Sequence, residues 1–163
     1  MVTVLQQVKN QVLVVVVLLA SAASTSWTAE RQGAAATDPF ANLQRFEGNP
    51  PKQWLLYDKA LRPAIEKVAG EYFDVLDVNL NTSSGVQITD GVLAIEGCFL
   101  HACGTDGAML VIDRAGRIYI AILTDGKKIM YFTNDAARTR KPIEAIQAFA
   151  DHNPGAKMTF MSK

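Results

Sequence analysis

The sequence is poor in several features that would each announce a function. Two cysteines and two histidines stand among 163 residues, and 16 basic side chains are balanced by 16 acidic ones. With no basic excess there is no surface to release counterions from nucleic acid, and no lysine- and arginine-rich face for a membrane surface. Two cysteines are too few for a disulfide-built scaffold. Eleven glycines and six prolines carry no collagen, repeat or low-complexity signature. There is no Gly-rich phosphate loop, no nucleophile elbow of a Ser-His-Asp hydrolase and no metal motif of four ligands. The sequence thus shows no catalytic constellation and calls for no cofactor, and Glu96, Asp106 and Asp113 read as solvated loop charges. What is present is a hydrophobic content of 49%, suited to one globular domain.

Part of that content sits at one end. Val12 to Ala20 is an unbroken apolar run, Lys9 is the only charge in the first 29 residues, and Ser21-Ala22-Ala23 supplies small residues for cleavage. The run is well short of the roughly 20 residues that span a bilayer, so a signal peptide fits better than an anchor. The expected division is a signal peptide over 1–23, a flexible lead rich in Ser, Thr and Ala over 24–37, and one domain over 38–163. Cleavage leaves a formal charge of −1, no membrane segment, and a periplasmic or secreted chain whose cysteines meet oxidising conditions.

The domain opens with helical signals. Pro39 can start a short helix through Phe46, stopped by Gly48 and turned by Asn49-Pro50-Pro51. Trp54, Leu61, Ile65 and Val68 share one helical face, with Pro63 expected to kink or divide the helix and Gly70 to end it. Residues 72–80 are ambiguous between strand and extended loop. Beyond them, Asp90-Gly91 and Asp125-Gly126 are two-residue hairpin signals, and Arg114-Ala115-Gly116 suits a three-residue hairpin. These turns delimit β-rich runs at about 84–89, 92–98, 108–113, 117–123 and 127–132.

The expected fold is thus α+β, a five-stranded antiparallel meander with helices packed on one face. Ile118, Ile120 and Ile122 share one face of the fourth run, and Tyr119, Ala121 and Leu123 the other. Both faces are apolar, so the second is either covered by a terminal segment or used in self-association. Arg138, Arg140 and Lys141 read as a solvated loop before a helix over Pro142 to Asp151.

Three of the four meander connections are minimal, but the second-to-third, Cys98 to Asp106, is long and holds both cysteines and His101. Long loops on a short-looped scaffold tend to carry function. For Cys98-Phe99-Leu100-His101-Ala102-Cys103-Gly104 the residue types leave several readings open. Cys98 and Cys103 can close a disulfide that presents His101; such a ring adds only about 2 kcal/mol and serves mainly to fix the loop. Cys98, His101 and Cys103 can ligate zinc or copper, although His152 lies 51 residues beyond His101 and there is no third cysteine. One cysteine can be a redox thiol, although the Cys-x-x-Cys spacing is absent. The blandest reading is a structural disulfide beside a surface histidine.

This loop resembles the Cys-x-x-His-x-Cys signature of the periplasmic inhibitors of vertebrate, or c-type, lysozyme, the Ivy family. Val92-Leu93-Ala94-Ile95 before it and Ala108-Met109-Leu110-Val111 after it agree with that pattern. The resemblance implies a disulfide between Cys98 and Cys103, a loop that enters the lysozyme cleft, and His101 hydrogen-bonded to the two catalytic carboxylates. Phe99, Leu100 and Ala102 would be the flanking contacts, in place of the polar Lys-Pro and Asp of the family pattern. The implied partner is a c-type lysozyme, a strongly cationic protein, and a homodimer is common in the family. The alternative is a module of the same fold with another envelope or glycan-enzyme target.

Overall fold

The structure, a computed structural model, describes residues 38–48 and 55–161. The expected signal peptide, the flexible lead, Trp54 and the Asn49-Pro50-Pro51 turn lie outside the described residues.

The chain enters through one 3-10 turn, Leu43–Phe46, shorter than the helix expected from Pro39. Its tight geometry brings residues three apart onto one side, and Leu43 and Phe46 are both buried. Helix α1 (Arg62–Ala69) follows, with Pro63 in its first turn. A proline there gives up an N–H that has no intrahelical partner anyway, so Pro63 starts the helix and does not kink it. Leu61, Ile65 and Val68 are buried together as their spacing requires, and Gly70 ends the helix at φ 60°.

A 3-10 turn over Gly70–Tyr72 leads into helix α2 (Phe73–Asn79). The segment left between strand and loop by its sequence is therefore helical. Phe73, Leu76 and Asn79 recur at intervals of three and are buried on one face.

Among the described residues seven strands form one sheet: β1 (Thr82–Ser83), β2 (Gln87–Thr89), β3 (Val92–Cys98), β4 (Gly107–Ile112), β5 (Ile118–Thr124), β6 (Lys128–Thr133) and β7 (Lys157–Phe160). The order is β1-β3-β4-β5-β6-β7, with β2 also paired to β3. The five expected runs are β2 to β6 and pair antiparallel, so the α+β class stands. The two additional strands are β1, a two-residue pairing against the end of β3, and β7, which joins β6 in parallel. The hairpins form as their sequences demand, with Asp90 and Asp125 at φ 52° and 53° and Gly91, Gly116 and Gly126 also at positive φ.

One of the three expected loop charges is not solvated. Asp113 is buried in the β4–β5 hairpin, where its carboxylate accepts the Ala115 and Arg117 N–H groups and pairs with Arg117 Nε at 2.5 Å.

Helices cover both faces of the sheet, not one. Helices α1 and α2 bury their apolar sides on Leu93, Ile95, Leu110, Ile118, Ile120 and Ile122. Helix α3 (Glu144–Asp151) lies on the opposite side, where Ile146 and Phe149 pack with Val111, Tyr119, Ala121, Leu123, Ile129 and Tyr131. Full burial of each such side chain contributes about 1.5–3 kcal/mol, which is why a strand apolar on both faces must be sandwiched. Of the two expectations for the second face, coverage by a terminal segment holds. On that face Tyr119 donates to Asp135 at 2.9 Å, and burial first, then this hydrogen bond, pushes its pKa up to about 12.

Candidate functional site

The long connection between β3 and β4 leaves the sheet at the rung where Cys98 faces Gly107. One further rung, Phe99 N–H to the Asp106 carbonyl at 3.0 Å, carries the ladder into the loop. The Ala102 N–H then bonds the Phe99 carbonyl at 2.9 Å, closing a β-turn in which His101 is the third residue. Ala102 reverses the chain again, its carbonyl accepting the N–H groups of Gly104, Thr105 and Asp106. Cys98 and Cys103 are joined in a disulfide across the base, with Cα atoms 4.9 Å apart. Both sulfurs are in that bond, so neither is a thiolate ligand or nucleophile.

The turn sets the backbone of His101 at φ 68°. The other non-glycine residues at positive φ among those described are Asp90 and Asp125, both in Asp-Gly hairpin turns where the conformation is ordinary. For histidine it costs about 1–2 kcal/mol and persists only where the surroundings impose it. Here the ring closure and the hydrogen bonds of Phe99 and Ala102 impose it. The result is an exposed tip: Phe99 is 44% and Leu100 50% exposed, and His101 is exposed beside them, while Ala102 is half-buried beneath. Two adjacent large apolar side chains therefore stand in water next to a constrained histidine.

The loop is buttressed from two sides. The Gly126 N–H bonds the Thr105 carbonyl at 2.7 Å and the Asp125 N–H reaches Asp106 Oδ1 at 3.3 Å, so the β5–β6 hairpin braces it. Asn79, at the end of α2 and buried, donates through Nδ2 to the carbonyls of Gly107 at 3.1 Å and Leu123 at 3.3 Å. Neither brace was anticipated. The Asp125-Gly126 signal located a turn but not its neighbour, and Asn79 lay in the segment whose structure the sequence left open.

Behind the disulfide, on the α3 side, is an open groove of about 490 Å³. Cys98, Cys103 and Asp106 of the loop line it, with Glu96, Phe149 and His152. His152, 51 residues from His101 in sequence, is thus brought to the loop base by the end of α3. No group of three or more His, Cys, Asp or Glu side chains among the described residues is placed to hold a metal. Arg140 and Lys141 are exposed in the loop before α3 and line no part of this groove.

A family model described as inhibitor of vertebrate lysozyme (Ivy) matches residues 60–155, from the start of α1 to just past α3. No curated protein and no solved structure is similar enough to the chain to match it.

Proposed function

The chain belongs to the Ivy family of inhibitors of vertebrate lysozyme, not to an enzyme family, and we propose that it blocks a c-type lysozyme by inserting the Cys98–Cys103 loop into the active-site cleft. The observation that carries this reading is the placement of His101, exposed at the tip of a disulfide-closed turn at φ 68°. Retaining glycosidases of this kind work with two carboxyl groups about 5 Å apart. An imidazole has two ring nitrogens in one rigid plane and can engage both groups. A hydrogen bond to a charged partner contributes about 1.5–3 kcal/mol, and a second one about as much again. Phe99 and Leu100 leave water at the same time and add apolar contact where a sugar would sit.

Rigidity matters as much as chemistry. A flexible tip would lose conformational entropy on entering the cleft, whereas this one is already ordered by a disulfide and two turns. Members of the family are periplasmic or secreted, and the apolar N-terminal run supports export of this chain. No helix among the described residues is long and apolar enough to cross a membrane. A homodimer is compatible with the family and is part of the proposal.

The test is the pattern of inhibition. A loop that occupies the cleft raises the apparent KM of the lysozyme for an oligosaccharide substrate and leaves kcat unchanged. A lowered kcat at constant KM would place the contact outside the cleft and sink the insertion model.

A further inference from the structure

We propose that the groove behind the disulfide receives an arginine or lysine side chain of the same enzyme whose cleft takes His101, giving the complex a second, charge-based contact. The proposal rests on the inhibitor reading and extends it from the loop tip to the loop flank.

The geometry comes first. A loop that enters a cleft brings the walls of that cleft against its own flanks, so whatever borders the loop is part of the interface. On the α3 side the border is this groove, because Cys98, Cys103 and Asp106 belong to the loop and line it. Glu96 lies two residues before Cys98 on β3, and the period of two along a strand puts both side chains on the same side of the sheet.

The chemistry follows from the lining. Leu123 and Phe149 make an apolar floor, and Glu96 and Asp106 supply two carboxylates. Among the described residues no lysine or arginine lines the groove. Asp106 is held in place, accepting from Thr105 Oγ1 at 2.9 Å and from the Asp125 N–H at 3.3 Å. A long basic side chain fits such a site in both its parts: the aliphatic stem covers the apolar floor and the charged head reaches the carboxylates. A cationic enzyme carries such side chains in abundance, and local charge complementarity explains how a chain of almost zero net charge can still attract it.

The experiment measures Kd for a cationic c-type lysozyme at low and high salt, using oxidised wild type, Glu96→Gln, Glu96→Lys and His101→Ala. Glu96→Gln keeps the shape and removes only the charge, so it should fold like wild type and bind about tenfold more weakly at low salt. Its affinity should also depend less on salt, which a merely structural role would not produce. Glu96→Lys should weaken binding further. Equal Kd and equal salt dependence for wild type and both Glu96 variants would overturn the groove while leaving the His101 contact standing. Weakening by Glu96→Lys alone is repulsion, not a lost contact, and overturns it as well. If wild type does not bind at all, the inhibitor reading falls and the groove falls with it.

Discussion

Cys98 and Cys103 stand with their Cα atoms 4.9 Å apart, and the four residues between them turn so tightly that His101 is held in the left-handed region. The bond closes a short ring, so it restrains the unfolded chain little and the loop a great deal. Replacing both cysteines by serine should cost about 2 kcal/mol of stability. The domain should stay folded, with a thermal midpoint several degrees lower, while inhibition of lysozyme weakens at least tenfold. Calorimetry and an activity assay on the same variant separate the two effects. An unfolded variant would show that the bridge supports the whole domain.

Changing His101 to glycine separates strain from chemistry. Glycine adopts φ 68° freely, which relieves about 1–2 kcal/mol, but it also loses more chain entropy on folding. The two terms oppose each other, and denaturant titration should place His101→Gly within about 1 kcal/mol of wild type. Inhibition should be lost all the same, because the imidazole is gone.

Asn79 connects the helical layer to the loop end of the sheet. Asn79→Ala leaves the carbonyls of Gly107 and Leu123 without their buried amide donor, at a cost of about 1–3 kcal/mol. Since Gly107 is the residue where the loop rejoins β4, amide exchange in residues 99–106 should also quicken. Exchange that stays at the wild-type rate would show that the disulfide and the β5–β6 hairpin hold the loop without Asn79.

Alkaline pH should destabilise the fold through Tyr119. Burial and the Asp135 carboxylate raise its pKa from 10.0 to about 12, so the folded state holds the phenol proton more tightly than the unfolded state. The contribution is complete below about pH 10 and is lost as pH rises from there through about 12. Thermal midpoints measured across that range should fall less steeply for Tyr119→Phe than for wild type.

How much of this was legible in the sequence depends on the kind of signal. The meander was legible because Asp-Gly turns fix both the place and the register of a hairpin, and Ile118 to Leu123 declared two buried faces. Helix α2 was not. Phe73-Asp74-Val75-Leu76-Asp77-Val78 mixes β-branched residues with a near-alternation, and Val78 stays 45% exposed, so packing of Phe73, Leu76 and Asn79 decides the helix. Strand β7 alternates, but over only the four residues Lys157-Met158-Thr159-Phe160, too short a run at a mostly exposed edge to tell a strand from a loop. For the site, Cys98, His101 and Cys103 were visible as residue types in one loop. The positive φ of His101 comes from a turn inside the ring that the residue types do not signal, and the groove beside Glu96 depends on the end of α3 meeting the loop, a contact between distant segments that no local pattern encodes.

The central claim is that His101 makes the decisive contact with the enzyme, and the inhibition constant of His101→Ala against a c-type lysozyme tests it most directly. Loss of two hydrogen bonds to carboxylates predicts a rise of at least a hundredfold over wild type, with an unchanged thermal midpoint. An inhibition constant within threefold of wild type would contradict the account, whatever else the loop does.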